Sequence, residues 1–238
     1  MTTIAMWSGP RNISTAMMYA FGNRADCIAW DEPFYAFSLV HHGNDHPMRE
    51  AIVAANDSDW DSLVARCTAP AAKPLFYQKH MTHHMLAGYD RAWIHKLTNA
   101  FLIRSPERVL ASYARKWSEV SLRAIGFVEQ AEIFDVVAER LGHAPPVVDA
   151  EDVLANPRQV LEALCRACGL AFDEAMLSWP KGPKPCDGVW APHWYNAVWQ
   201  STGFSKPEAP GEPLPDNLAR IADTARPLYE KMRGFRLT

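Results

Sequence analysis

Residues 3–19, Thr-Ile-Ala-Met-Trp-Ser-Gly-Pro-Arg-Asn-Ile-Ser-Thr-Ala-Met-Met-Tyr, decide the fold. A short apolar run enters a tight turn, Gly9-Pro10-Arg11-Asn12-Ile13, and Ser14-Thr15 open a helix. A strand that turns directly into a helix aims unpaired backbone N–H groups and the positive end of the helix dipole at one point, which suits a phosphate. The turn departs from the GxxxxGK[ST] loop of nucleoside triphosphatases, because Asn12 and Ile13 stand where Gly and Lys would precede the hydroxyl residue. Its cation is Arg11, whose planar guanidinium can bridge two oxyanions where Lys would act as a point charge. The competing reading is an ordinary strand-to-helix turn, with Ser14 as N-cap and Arg11 in solvent.

Residues 100–117, Ala-Phe-Leu-Ile-Arg-Ser-Pro-Glu-Arg-Val-Leu-Ala-Ser-Tyr-Ala-Arg-Lys-Trp, repeat this plan. An apolar run ends at Arg104, Pro106 is a good first helical residue, and Ser112 falls two turns into the helix. A guanidinium and a hydroxyl are thus offered to a second phosphate.

Two strand-end anion sites suggest a ligand with phosphates at two places, and the pair resembles the sulfotransferases that use 3′-phosphoadenosine-5′-phosphosulfate (PAPS). Ser-Gly-Pro-Arg-x-x-Ser-Thr is similar to that family's 5′-phosphosulfate loop, which implies donor contacts from Gly9, Pro10, Arg11, Asn12, Ile13, Ser14 and Thr15. Phe-x-Ile-Arg-x-Pro-x-x-x-x-x-Ser-Tyr resembles its 3′-phosphate segment and implies the same for Arg104 and Ser112. A third similarity runs from Val147 through Glu151-Asp152-Val153 and Asn156-Pro157 to Gly169-Leu170. The resemblance implies an α/β fold of three layers, P-loop NTPase-like, with a mostly parallel central sheet between helices. It also implies PAPS as co-substrate, PAP as product, and no required metal. The Arg-Lys-Gly motif that cytosolic members carry near the C-terminus is not recognisable; Lys181, Lys184 and Lys206 are candidates to replace it.

Patterning agrees with such a fold. Short apolar runs near residues 3–7, 27–30, 75–78, 100–103 and 146–149 alternate with helical patterns, which argues for a parallel sheet covered on both faces. Ligands of such sheets bind beyond the carboxyl ends of the strands. Arg11, Glu32, Lys79, His80 and Arg104 all follow predicted strands and are expected to converge on one rim. Residues 124–141 and 217–232 read as amphipathic helices. Residues 180–215 hold eight prolines and the cluster Trp190, His193, Trp194, Tyr195 and Trp199, a pattern that reads as a lid or as a surface excursion, its rings packing a flat acceptor, holding a cation or forming a small core of their own.

The 238 residues, 48% hydrophobic and 21% charged, suit a single α/β domain over 1–238. A net charge of -3 provides no basic footprint for nucleic acid and no polybasic membrane patch, so the expected partner is a small molecule. Five cysteines, an odd number, and no charged-apolar-small leader pattern point to a reducing cytoplasm. Cys165-Arg-Ala-Cys168 lies within a helical pattern and reads as core packing. The composition leaves the oligomeric state open.

Sulfuryl transfer needs charge stabilisation on the leaving phosphate, a base for the acceptor proton, and in-line alignment. Arg11 and the loop N–H groups fit the first need. Two residues compete for the second. Glu32, in Trp-Asp-Glu-Pro-Phe, stands where some bacterial and Golgi sulfotransferases place a carboxylate. His80, in Tyr-Gln-Lys-His-Met-Thr-His-His, resembles the Lys-Thr-His segment of cytosolic members. Histidine titrates near pH ~6.5 and is poised for proton abstraction, whereas Glu needs burial to raise its pKa. Lys79 is a candidate partner for the bridging oxygen of the leaving group. Asp31 is expected to support the Arg11 loop, and His41, His42 and His46 to be solvated. Two further readings stay in play: a P-loop kinase or hydrolase with a degenerate loop, and a non-catalytic nucleotide-binding protein.

Overall fold

The computed structural model describes residues 1–42, 46–115, 120–207 and 213–238. Five strands form one parallel sheet: β1 (Thr2–Ser8), β2 (Cys27–Asp31), β3 (Leu75–Met81), β4 (Thr98–Ile103) and β5 (Val147–Asp149), in the spatial order β2-β3-β1-β4-β5. All five predicted apolar runs are strands. The order changes direction around β1, so the switch point, where ligands of open α/β sheets bind, lies at the end of β1.

Eleven α-helices are described among these residues: α1 (Ser14–Gly22), α2 (Tyr35–His42), α3 (Arg49–Ala55), α4 (Trp60–Thr68), α5 (Pro106–Tyr113), α6 (Phe127–Leu141), α7 (Ala150–Ala155), α8 (Pro157–Ala167), α9 (Ala191–Trp194), α10 (Asn196–Trp199) and α11 (Asp216–Arg233). Because strand side chains alternate, each strand feeds two cores. Ile4, Met6, Leu75, Tyr77, Ala100 and Leu102 pack with α1 and α8 on one face. Ala5, Trp7, Phe101 and Ile103 pack with α5, α6 and α11 on the other. The predicted helices over 124–141 and 217–232 are α6 and α11. Cys165 and Cys168 are buried in the first core, as core packing requires.

Two local devices shape the rim. Gly9 is required by close approach, since a Cβ there would lie 2.5 Å from the Ile125 carbonyl oxygen. Ser105 caps α5 by accepting from the Arg108 N–H, and Pro106 follows as the first helical residue. That cap ends β4 sharply and leaves Arg104 at its tip.

Candidate active site

A cavity of about 410 Å³ opens beyond the carboxyl ends of the strands. Its floor is the turn after β1. Arg11 and Ile13 both adopt left-handed backbone conformations, φ 58° and 49°, and a β-branched residue in that region is a true outlier. Strain of this kind persists only where the surroundings fix it. Here Asn12, itself buried, donates from Nδ2 to the Leu102 carbonyl at 2.6 Å and ties the turn to β4. Ile13 stands at the cap position of α1 and supplies no side-chain cap. The first N–H groups of that helix therefore depend on what enters the cavity. Ser14 is the first helical residue rather than a cap. Pro10 to Thr15 line the cavity, whereas Gly9 is buried and does not.

Arg104 and Ser112 join the same wall. The Arg104 guanidinium donates from Nη1 to the Arg11 carbonyl at 3.0 Å and from Nε to Glu151 at 3.2 Å. Ser112 accepts from Arg11 Nε at 2.9 Å. The two segments singled out in the sequence thus interlock: the cation of the first loop is held by the hydroxyl of the second, and the cation of the second by the backbone of the first.

The opposite end of the cavity is built from side chains. Lys79 is 1% exposed and donates from Nζ to Asp31 Oδ1 (2.9 Å), Glu32 Oε1 (2.6 Å) and the Tyr195 hydroxyl (2.7 Å). Tyr195 in turn donates to Asp31 Oδ2 at 2.7 Å and accepts from Trp190 Nε1 at 3.1 Å. Burial alone would lower the Lys79 pKa, but the carboxylates of Asp31 and Glu32 hold it above the ordinary value. Burial raises the Glu32 pKa, and the neighbouring ammonium only partly offsets that. Glu32 also has a left-handed backbone, φ 42°, at the turn from β2 to α2. This turn brings Glu32 to the cavity wall, directly ahead of Tyr35.

Several expectations are corrected by this geometry. His80 does not reach the cavity: strand alternation sends it to the opposite face from Lys79, where its ring stacks on Trp7 at 4.4 Å and pairs with Gln78 at 3.0 Å. Burial there pushes its pKa down to about 3. Lys79 spends its three protons on Asp31, Glu32 and Tyr195, which leaves none for a leaving group while those bonds hold. Asp31 supports Lys79 and Tyr195 rather than the Arg11 loop. His46 is not a solvated loop residue; it lines the cavity and meets the Tyr35 hydroxyl at 3.2 Å. Lys184 is held by the Pro180 and Gly182 carbonyls away from this cavity, and Lys181 is exposed, whereas Lys206 directly follows cavity-lining Ser205.

Of the expected lid, residues between 194 and 205 line the cavity, while residues 208–212 lie outside the described residues. Trp190 and Tyr195 are buried in the core that also holds α1 and Tyr35, Trp199 packs against that core, and Trp194, Tyr195 and Phe204 line the cavity. The sequence offered no role for Tyr35 or Tyr113 and only a weak metal-site reading for His83 and His84 with His80, although all four line the cavity. His83 and His84 lie in the 3-10 turn after β3, where strand alternation gives no signal.

The fold and rim define an α/β protein of the P-loop-like class, with its ligand cavity at the switch point of a parallel sheet. Comparison with known proteins narrows this. Residues 1–235 match the sulfotransferase domain family, to which the chain belongs. The fold matches the sulfotransferase domain from the curacin biosynthetic pathway (TM-score 0.54, 17% identity, 94% of this chain and 97% of that one). It also matches the sulfotransferase domain of the Synechococcus PCC 7002 olefin synthase (0.55, 18%, 94% of each chain) and a sulfotransferase from Alicyclobacillus acidocaldarius (0.56, 11%, 98% and 95%). In sequence the chain is similar to the Arabidopsis thaliana branched-chain-amino-acid aminotransferase-like proteins 1 and 2. It is 33% and 32% identical to them over 97% and 98% of its length. It spans only 41% and 42% of those relatives' lengths. No described helix is long and apolar enough to cross a membrane.

Proposed function

We propose that the protein transfers a sulfuryl group from PAPS to a small-molecule acceptor, with Glu32 as general base. The observation that carries this reading is the interlocked pair of cationic segments, Arg11 held by Ser112 and Arg104 held by the Arg11 carbonyl, beside a buried carboxylate in one cavity. The uncapped start of α1 and the strained turn suit a phosphosulfate, whose oxyanions can take up the N–H groups that no side chain caps. Arg104 and Ser112 suit the 3′-phosphate.

PAPS supplies an activated sulfuryl group with PAP as its leaving group. Glu32 takes the acceptor proton as the new O–S or N–S bond forms and the S–O bond to the 5′-phosphate breaks. Arg11 and the loop N–H groups stabilise the charge that builds on that phosphate, a contact that strengthens toward the transition state. Lys79 and Asp31 fix the position of Glu32, while burial lifts its pKa toward the range where a carboxylate is an effective base. Trp194, Tyr195 and Phe204 close the acceptor end as a lid. The five free cysteines support a reducing, cytoplasmic location.

The reading is tested by incubating the protein with PAPS and a mixed panel of alcohols, phenols and amines in the presence of EDTA. Acceptor-dependent PAP formation is expected. ATP turnover that requires magnesium, with PAPS left intact, would overturn it in favour of a kinase-like activity.

A further inference from the structure

His83 and His84 follow β3 in a short 3-10 turn, Thr82–His84, and both line the cavity on the Glu32 side. The His84 ring stacks on Tyr35 at 4.7 Å, and His83 packs edge-on against His84 at 4.4 Å. Neither imidazole hydrogen-bonds a described residue; the Nδ1 atom of each is buried without a partner, and Nε2, which is not buried, is the nitrogen open to a ligand. His84 is only 3% exposed. A buried polar group left unpaired is costly, so two such rings side by side on a cavity wall are poorly explained by packing. Burial, with Lys79, His42 and His46 nearby, keeps both rings neutral.

The charges nearby set a second condition. With Glu32 ionised to act as base, Lys79 and its two carboxylates, Asp31 and Glu32, leave one negative charge at this end. Arg11 and Arg104 belong to the opposite wall, where the donor phosphates claim them. An anionic acceptor would meet repulsion from Glu32 and from the donor, in a setting of low dielectric. An amine would be held as its ammonium ion by the same carboxylates, with its lone pair bound to a proton and unable to attack sulfur.

We infer that the acceptor is an uncharged hydroxyl compound that presents its nucleophilic oxygen to Glu32 and a second hydrogen-bonding group to His83 and His84, with its carbon body against Tyr35 and Trp194. This inference rests on the PAPS reading above. In the reaction the acceptor O–S bond forms, the S–O bond to PAP breaks, and Glu32 receives the hydroxyl proton. His83 and His84 move no proton; they set specificity by binding.

The experiment compares short α,ω-diols, ω-hydroxycarboxylates and simple alkanols as acceptors with PAPS, using wild type, His84→Phe, His83→Phe and the conservative His84→Asn. PAP affinity is measured by calorimetry on the same preparations. The diols are expected to exceed the hydroxycarboxylates in kcat/KM by about tenfold or more, since the added carboxylate meets Glu32 and the donor phosphates, and to exceed the alkanols as well, since a site with unpaired polar groups rejects analogues that cannot satisfy it. His84→Phe should raise the diol KM by a similar factor, remove the advantage of diols over alkanols, and leave PAP affinity within about twofold. His84→Asn should recover part of the loss, and His83→Phe supplies an independent reading if His84→Phe does not fold. A preference for hydroxycarboxylates or amines, or unchanged acceptor KM in both Phe variants, overturns the inference while intact PAP binding leaves the PAPS reading standing. Loss of PAP binding in wild type overturns both.

Discussion

The two ends of the cavity hold charge by different means. At the loop end, the backbone does most of the work: helix α1 starts without a side-chain cap, two residues sit in left-handed conformations, and each arginine leans on the neighbouring segment. At the Glu32 end, four side chains from distant parts of the chain form one buried hydrogen-bonded knot. A backbone-built anion cradle tolerates side-chain variation and needs only the right turn. A buried ionic knot depends on each member, because removing one partner strands another charge in low dielectric. Variants at the two ends should therefore fail differently.

The largest expected effect is at Glu32. Glu32→Gln should lower kcat by about 10²–10⁴, the range of general-base catalysis, while PAP binds as in wild type. Parallel loss of PAP affinity would show that Glu32 shapes the donor end instead. Next comes Lys79→Met, which leaves Asp31 and Glu32 uncompensated and should destabilise the fold by about 3–5 kcal/mol in denaturant titration. A loss below about 1 kcal/mol would mean that the knot is not the stability element its burial implies.

Arg104→Ala should weaken PAP by about tenfold to a hundredfold, the worth of a charged hydrogen bond, and raise the KM for PAPS far more than that for the acceptor. Equal effects on both would break the assignment of Arg104 to the donor end. Tyr195→Phe removes the hydroxyl between Lys79 and Asp31 and should cost about 1–2 kcal/mol in stability with a modest fall in kcat. The smallest effect belongs to His80→Phe, which keeps a ring against Trp7 and should change kcat/KM less than about threefold.

The pH profile sharpens the same contrast. A carboxyl whose pKa is raised by burial must lose its proton before it can act as base, so kcat should fall as pH drops through that raised value. His80, held neutral down to about pH 3 by burial, cannot shape this limb. An acid limb that disappears in His80→Phe and persists in Glu32→Gln would reverse the assignment.

Much of the architecture was legible in the sequence because both faces of the sheet are buried, and the resulting apolar runs stand out between helical patterns. The loop was legible for the same reason: its turn follows immediately on such a run. The base was not, since Lys79 and His80 are adjacent and only the register of β3 decides which of them faces the cavity. Parallel pairing sets Trp7 opposite His80, and their stacking commits that ring to the other core. Asp31 and Tyr195 are 164 positions apart, so no local pattern announces their bond. The aromatic cluster around Tyr195 signalled a cover, and its hydroxyl turned out to be the link that ties that cover to the carboxylates.

The most direct test of the account is calorimetric titration with PAP in the absence of metal, with ATP as control, on wild type and Arg104→Ala. Tight PAP binding by wild type, weak ATP binding, and loss of the PAP signal in the variant are predicted. Absence of PAP binding, or ATP binding that depends on magnesium, would contradict the two-phosphate cavity and the sulfuryl transfer built on it.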